Sequence, residues 1–234
     1  MCYYLFSETK TLFYLSFGSA TIISLILAVV FSQRIIELQN RQDKFKVINV
    51  IDGDSFLIPP EQSIRLDYLN APELEYCYGN KAKEKLEELI LNKYVSLKDT
   101  SIDSFKRTMA SVYLDGKFVN KIMVEQGYAK YQRSSGGEKR DLIKQLSRQA
   151  KEEKRGVWSD QCYQKQNLKN PDCQIKGNIS KSDGDKTYHF SGCSEYERTV
   201  VELDIGEQWF CSEKDAQQAG YTKSKHCFDK KYEN

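Results

Sequence analysis

The sequence predicts an α+β fold: a small closed β-barrel with capping helices, preceded by one apolar helix and followed by a compact cysteine-rich α+β unit. Three observations carry this. Residues 11–32, TLFYLSFGSATIISLILAVVFS, form an uncharged apolar run of the roughly 20 residues a helix needs to cross a bilayer. Between residues 45 and 160, short β-rich runs broken by turn residues alternate with segments of helical periodicity. Beyond Ser159 the composition changes, and five of the seven cysteines lie there. A chain of 234 residues is long for one minimal domain. Its formal net charge of only +2 excludes a global basic field, so any nucleic-acid binding must come from a local patch.

The expected order is a short tail (1–10), a transmembrane helix (11–32), a polar helical linker (33–44), the barrel domain (45–160), a second linker (161–172) and the small cysteine-rich domain (173–228). The apolar run exceeds the ~7–15 residues of a signal peptide, and Phe31-Ser32-Gln33 is not a small-x-small cleavage site, so an uncleaved single-pass anchor is expected. No lipobox precedes Cys2. Orientation receives two opposing signals. Lys10 precedes the span and Arg34, Arg41, Lys44 and Lys46 follow it, which by the positive-inside rule places the remainder in the cytoplasm. The late cysteines point to an oxidising, extracytoplasmic side.

Within the central domain, Asp52-Gly53-Asp54 is a turn between two β-rich runs, Phe45–Val50 and Ser55–Ile58, which sets Asp54 where a hairpin reverses. The next run, Ser63–Leu69, carries Arg65 and breaks at Asn70-Ala71-Pro72, leaving Glu73 just past a proline. A hard cation needs oxygen ligands and a phosphate needs a fixed guanidinium; this stretch supplies both kinds. After Gly79, Ala82, Leu86, Leu89 and Ile90 recur at helical spacing with charges opposite, the pattern of a helix packed on a sheet. A strand at Tyr94–Leu97, a strand at Met109–Leu114, an Asp115-Gly116 turn, a helix at Val119–Gln126 closed by Gly127, a strand at Ala129–Tyr131 and a helix at about Asp141–Lys154 complete the pattern. Strands first, interspersed helices and a closing helix describe an OB-type architecture.

The ordered motifs IDGD, RLDYLNAPE, DSFKRTMASVYLDGK, FVNKIMVEQGYAK and AKEEKRGVWS closely resemble the staphylococcal nuclease (thermonuclease-like) family over about Phe45–Ser159. That resemblance implies a five-stranded OB-type β-barrel with three helices and a calcium-dependent (Ca2+) phosphodiesterase acting on DNA and RNA. It also implies residue roles: Asp54 as carboxylate ligand of the cation, the Ala71 carbonyl as main-chain ligand, Arg65 and Arg107 as clamps on the scissile phosphate, and Glu73 as the group that orients or deprotonates the attacking water. One position departs. Asn70 stands where the family pattern carries a second metal-binding aspartate, which keeps an oxygen donor but removes one negative charge. Asp67 lies three residues earlier, and Lys106 replaces a small residue before Arg107. Singly, each feature has an ordinary explanation: Asp-Gly turns cap hairpins, a glutamate after proline starts helices, and arginines pair on surfaces. Tyr76, Tyr78, Tyr113, Tyr128 and Tyr131 are candidates for base stacking, with barrel core or rim the expected place for more of them. The expected function is a membrane-anchored nuclease; the alternative is a catalytically weak OB-type module that binds nucleic acid or a protein partner.

In the tail, Ile175, Ile179, Tyr188 and Phe190 read as strand positions around an Asp183-Gly184 turn, Trp209-Phe210 as another strand, and Ser212 with Asp215 as a capped helix start ending at Gly220. The runs IKGNIS, KTYHFSGC, YERT and GEQWFCSEKDAQQAGY resemble the small "sunset" domain, which brings no established chemistry. About 55 residues bury too little to stand on a core alone, so cross-links or a metal are expected. Cys173, Cys193, Cys211 and Cys227 with His189 and His226 lack CxxC spacing, which favours disulfides over zinc outside the cytoplasm and free thiols within it. Cys77 and Cys162 are a candidate further pair tying the closing helix to the barrel.

Overall fold

The computed structural model describes residues 24–34, 44–133, 138–228 and 230–232. The chain divides into two compact units, Met1–Lys44 and Phe45–Asn234. In the first, residues 24–34 form a helix (α1) with its side chains exposed, Leu25, Val29 and Phe31 among them. Among the described residues no helix is long and apolar enough to cross a membrane. Most of the expected 11–32 span, and residues 35–43 of the expected linker, lie outside the described residues.

The second unit opens with β1 (Lys44–Lys46), β2 (Asn49–Val50), β3 (Ser55–Ile58), β4 (Gln62–Leu66) and β5 (Leu69–Asn70), then helix α2 (Gly79–Ile90). β6 (Tyr94–Ile102), β7 (Thr108–Leu114), β8 (Lys117–Phe118), α3 (Val119–Glu125), β9 (Lys130–Tyr131) and α4 (Glu138–Glu152) follow. The main sheet has seven strands in the order β1-β6-β7-β4-β3-β2, with β8 paired to β7. β4 and β7 run parallel, with Arg65 opposite Met109. The expected count of five differs because β1 and β2 are consecutive pieces of one segment and β8 adds a hairpin. Val47 N donates to Lys93 O (2.9 Å) on the β6 side, and Ile48 N donates to Leu57 O (2.9 Å) on the β3 side. β1 pairs with β6 at one end of this path and β2 with β3 at the other, and the fold is an α+β sheet with capping helices.

The core is what the helical and strand periods predict. Ala82, Leu86 and Ile90 of α2 are fully buried against Val50, Phe56, Ile64 and Leu66 of the sheet, with Leu89 packed at the edge. Asp115 and Gly116 both take positive φ, 47° and 81°, and join Leu114 to Lys117 in a two-residue hairpin turn. The run Ser63–Leu69 splits, because Tyr68 turns at positive φ with its N–H donated to Asp67 Oδ1 (2.7 Å). The chain then leaves the main sheet, and β5 pairs with β9. β6 extends five residues past the expected Leu97, through four exposed polar residues and the exposed Ile102, which carry no apolar alternation, with a register shift between Lys98 and Ser101. Gly127 and Gly156 face each other: a Cβ on Gly156 would lie 2.1 Å from Gly127 O, so both must be glycine for the exit of α3 to meet the 3-10 turn Gly156–Trp158.

The remaining strands are β10 (Tyr163–Gln164), β11 (Ile175–Ile179), β12 (Lys186–His189), β13 (Val201–Glu202), β14 (Gln208–Phe210) and β15 (Thr222–Lys223), with helix α5 (Glu213–Gln218) after β14. They form a four-stranded sheet, β14-β11-β12-β15, over a core of Ile175, Tyr188, Phe190, Phe210 and Tyr221. Gly177 is required beneath that core, since a Cβ would meet Phe210 at 2.5 Å. Ser212 caps α5, accepting from Asp215 N (3.1 Å). The stretch expected to be a linker, 161–172, is not free of the tail: β10 pairs with β13, and Trp209 Nε1 donates to Gln164 Oε1 (2.8 Å). Disulfides join Cys77 to Cys162, Cys173 to Cys211 and Cys193 to Cys227; Cys2 lies outside the described residues.

Candidate active site

The hairpin from β2 to β3 sets Asp54 just before β3, where its backbone N–H donates to Asp52 Oδ1 (2.9 Å) and its carboxylate turns inward, 2% exposed. β4 runs antiparallel beside it, with Ser55 opposite Arg65, which brings the Arg65 guanidinium onto Asp54. Arg65 Nη1 donates to Asp54 Oδ1, which also accepts from Ser55 Oγ (2.8 Å). Arg65 Nη2 donates to Asn70 Oδ1 (2.6 Å), so one planar guanidinium ties the hairpin to the start of the Asn70-Ala71-Pro72 break. Ala71 N donates to Asp54 Oδ2 (2.9 Å), and Asn70 Nδ2 reaches the Ala71 carbonyl (3.3 Å). Asp54, Arg65, Asn70 and Ala71 are thus one hydrogen-bonded cluster. Burial pushes the Asp54 carboxyl up to about 7, against the pull of Arg65, and Asp52 adds to the rise.

Three oxygen types converge in this cluster: a carboxylate, a side-chain amide and a main-chain carbonyl. In donor chemistry they suit a hard cation such as calcium, with one formal negative charge among them. Among the described residues no group of three or more His, Cys, Asp or Glu side chains is placed to hold a metal ion.

Arg107 reaches the same neighbourhood from the loop between β6 and β7. That loop is held by Asp103, whose Oδ1 accepts from the backbone of Phe105 (2.9 Å) and Arg107 (2.8 Å), and whose Oδ2 accepts from the Arg107 guanidinium at 2.8 Å. Arg65 and Arg107 line one cleft of about 420 Å³, whose other walls include Asp67, Tyr68, Phe105 and Arg133. The two arginines expected to act together therefore share a cavity although 42 positions separate them in the chain. Glu73 is placed differently. Its side chain is exposed, makes no hydrogen bond or ion pair among the described residues, and is not part of that cleft's lining. Its backbone is tightly held: Glu73 O accepts from Tyr76 N (3.0 Å), and a Cβ on Gly79 would lie 2.0 Å from it.

Several residues take other roles than the sequence suggested. Asp67 serves the turn at Tyr68 and lines the cleft, with no bond to the Asp54 cluster. The five candidate stacking tyrosines are absent from the cleft: Tyr113 stacks on Phe118 (5.0 Å) and Tyr78 lies against Tyr128 (5.8 Å). The aromatics at the cleft are instead the buried Tyr68 and Phe105, the latter 78% exposed and 5.3 Å from the Arg107 guanidinium. Phe105, inside the DSFKRT motif, and Arg133, just past a strand end, went unread; an exposed aromatic two residues from a phosphate-type arginine was the available signal.

The profile of the family described as staphylococcal nuclease homologue matches residues 63–160. The chain is similar to a micrococcal nuclease of Shigella flexneri, 27% identical over 127 residues that cover 49% of this chain and 73% of that protein. It is 30% identical over 123 residues to an uncharacterized endonuclease of Escherichia coli O157:H7, covering 49% of this chain and 76% of that protein. An uncharacterized endonuclease of Haemophilus influenzae is 34% identical over 119 residues, covering 49% and 66%. The profile match ends at residue 160, so the likeness of the tail to the sunset domain rests on its own sequence pattern. With five ordered motifs, a matching profile and an arginine-lined cleft over an oxygen-donor cluster, the chain belongs to the staphylococcal nuclease homologue family and is a hydrolase of the phosphodiesterase class.

Proposed function

We propose that this chain is a membrane-anchored, calcium-dependent nuclease that hydrolyses phosphodiester bonds of DNA or RNA in the cleft between Arg65 and Arg107. The observation that carries the reading is that shared cleft, with the Asp54–Asn70–Ala71 oxygen cluster bonded to one of its two guanidiniums. A phosphodiester resists attack because its anionic oxygens repel a nucleophile and the pentacoordinate transition state gathers charge. Two guanidiniums can donate to those oxygens and bind them more tightly as that charge grows. Arg107 holds its place through Asp103, and Arg65 through Asp54 and Asn70, whose oxygens it would share with a bound cation. Glu73, whose carboxylate has no partner among the described residues and lies outside that cleft's lining, takes from the family resemblance the role of accepting the proton of the attacking water or orienting it, a contribution of about 10²–10⁴-fold. Bound by Asp54, Asn70 and the Ala71 carbonyl, calcium would supply positive charge that polarises a phosphate oxygen and a water.

Anchoring rests on the uncharged run 11–32, and an extracytoplasmic catalytic domain rests on the three disulfides, which persist in oxidising compartments. The test is cleavage of single-stranded DNA and of RNA by the full chain in detergent, with calcium or with a chelator, beside Arg65→Ala and Glu73→Ser. Calcium-dependent cleavage that both variants lose is the expected result; no cleavage by the parent chain at saturating calcium refutes the proposal. The binding-module reading is favoured by one observation, the neutral Asn70 in the donor cluster. Asn70→Asp separates the two: a nuclease binds calcium about tenfold more tightly with the added charge and cuts in either form, whereas a binder cuts only as the variant.

A further inference from the structure

Glu73 sits on an exposed loop with no side-chain partner among the described residues, and such a group acts well only if its backbone is held. The structure holds it from the C-terminal unit, that is residues 162–228 of the compact body Phe45–Asn234. Cys77, four residues on, is joined to Cys162 at the head of that unit, and its N–H donates to Leu203 O (3.3 Å). Leu203 N in turn donates to Cys162 O (2.8 Å), so the disulfide and the two backbone bonds close one ring of contacts. Beside them, Gly206, at φ +85°, packs against the Tyr76 ring so closely that a Cβ would lie 2.6 Å from it. Tyr76 N is the donor to Glu73 O, so whatever fixes Tyr76 and Cys77 fixes the Glu73 backbone.

A second tie runs to β9, the strand paired with Asn70 of the donor cluster. In the β5–β9 ladder Asn70 pairs with Lys130, and Lys130 Nζ donates to Glu202 Oε2 (2.6 Å) and Asp204 Oδ1 (2.7 Å) of the C-terminal unit while lying 4.4 Å from the Trp158 ring. Asp204 is 2% exposed, so this is a desolvated ion pair rather than a solvated surface contact. Residues 202–206 therefore grip both the Glu73 loop and the strand opposite Asn70.

We infer that the C-terminal unit is a built-in positioning device for the nuclease site, with Tyr76, Cys77 and Lys130 as the positioning residues through which it sets Glu73 and Asn70. This rests on the nuclease reading for its catalytic consequence and on the contacts alone for its structural one. Arg107 stands on the β6–β7 loop away from these contacts, and Arg65, though bonded to Asn70, keeps its bond to the buried Asp54, so loosening the grip should slow the chemistry more than it weakens substrate binding.

The test uses the full chain as Cys77→Ser/Cys162→Ser, Lys130→Met and Lys130→Arg, reading steady-state cleavage and amide hydrogen exchange over residues 73–79. In the double-serine and Lys130→Met variants, exchange over 73–79 should quicken about tenfold or more, and kcat should fall at least about tenfold with KM within about twofold. Lys130→Arg, which keeps the charge, should recover most of both. If the double-serine variant does not fold, the methionine–arginine comparison with the disulfide intact decides. Unchanged exchange over 73–79 in the folded variants, or a raised KM at unchanged kcat, overturns the inference. Should the parent chain not cleave, the nuclease reading falls by itself and the exchange measurement still decides whether the C-terminal unit holds the loop.

Discussion

Replacing Asn120 with alanine should remove the polar tie that keeps the Arg65 strand in register with its neighbours. The side chain is fully buried at the start of α3. Its Oδ1 accepts from Val112 N (2.9 Å), and its Nδ2 donates to Asp67 O and Ala110 O (3.0 Å each). Ala110 O keeps a second partner, Asp67 N at 2.9 Å, so two backbone groups, Val112 N–H and Asp67 C=O, lose the bond that satisfies them. At about 1–3 kcal/mol for each buried polar group left unsatisfied, the loss is about 4 kcal/mol, or roughly a thousandfold in the folding equilibrium. Urea unfolding under non-reducing conditions measures it: with a slope of about 2 kcal/mol per molar, the midpoint should fall by about 2 M. Asn120→Asp should cost at least as much, because a second oxygen would then face two carbonyl oxygens. A loss below about 1 kcal/mol in the alanine variant would refute the view that this side chain organises the β4–β7 junction.

Arg107→Ala should leave the thermal midpoint almost unchanged, since its ion pair with Asp103 is 41% exposed on the arginine side and worth about 0–1 kcal/mol, while cleavage rate falls about a hundredfold. Arg65→Ala should lower both, because it strands the Asp54 carboxyl, 2% exposed, and breaking a buried pair costs about 3–5 kcal/mol; a stable, inactive variant would contradict the buried geometry. His189 is buried beside His226, with its Nδ1 lacking a partner among the described residues; burial and then the His226 charge lower its pKa below 6.5, against a smaller opposing pull from Glu195. Below pH 6.5 the unfolded chain therefore takes up the proton first, so this contribution to stability is present above 6.5 and lost as the pH falls through that range. His189→Gln should flatten the pH dependence of unfolding between about pH 7 and pH 5, and an unchanged slope would rule the residue out as its source.

The elements most legible in the sequence were those whose signals are local. The Ala82-Leu86-Ile90 stripe, the Asp115-Gly116 turn and the Ser212 cap each depend on residues within a turn or two, and each stands where the periodicity puts it. The failures were equally local in cause. Ser63–Leu69 reads as one strand because every residue suits one; only the partner strand β9 decides that the chain leaves the main sheet at Tyr68. Residues 161–172 read as a linker because they are polar, yet the two residues of β10 pair with residues 39 and 37 positions away and the Gln164 side chain finds Trp209 45 positions away, beyond the reach of any periodicity.

By itself the sequence determined the chemistry available: the turn acids, the two arginines, the glutamate after proline and the neutral Asn70, in an order that identifies the family. Tertiary structure decided which of these meet. Arg65 bridges Asp54 and Asn70 because the hairpin register sets Ser55 opposite Arg65, and Arg107 shares its cleft because β4 lies parallel to β7. Glu73 owes its backbone support to Cys162, Leu203 and Gly206, residues of a unit that begins almost ninety positions later. Side-chain identity is written residue by residue, whereas distances between segments follow from pairing and burial summed over the whole fold, and no window of neighbouring residues contains that sum.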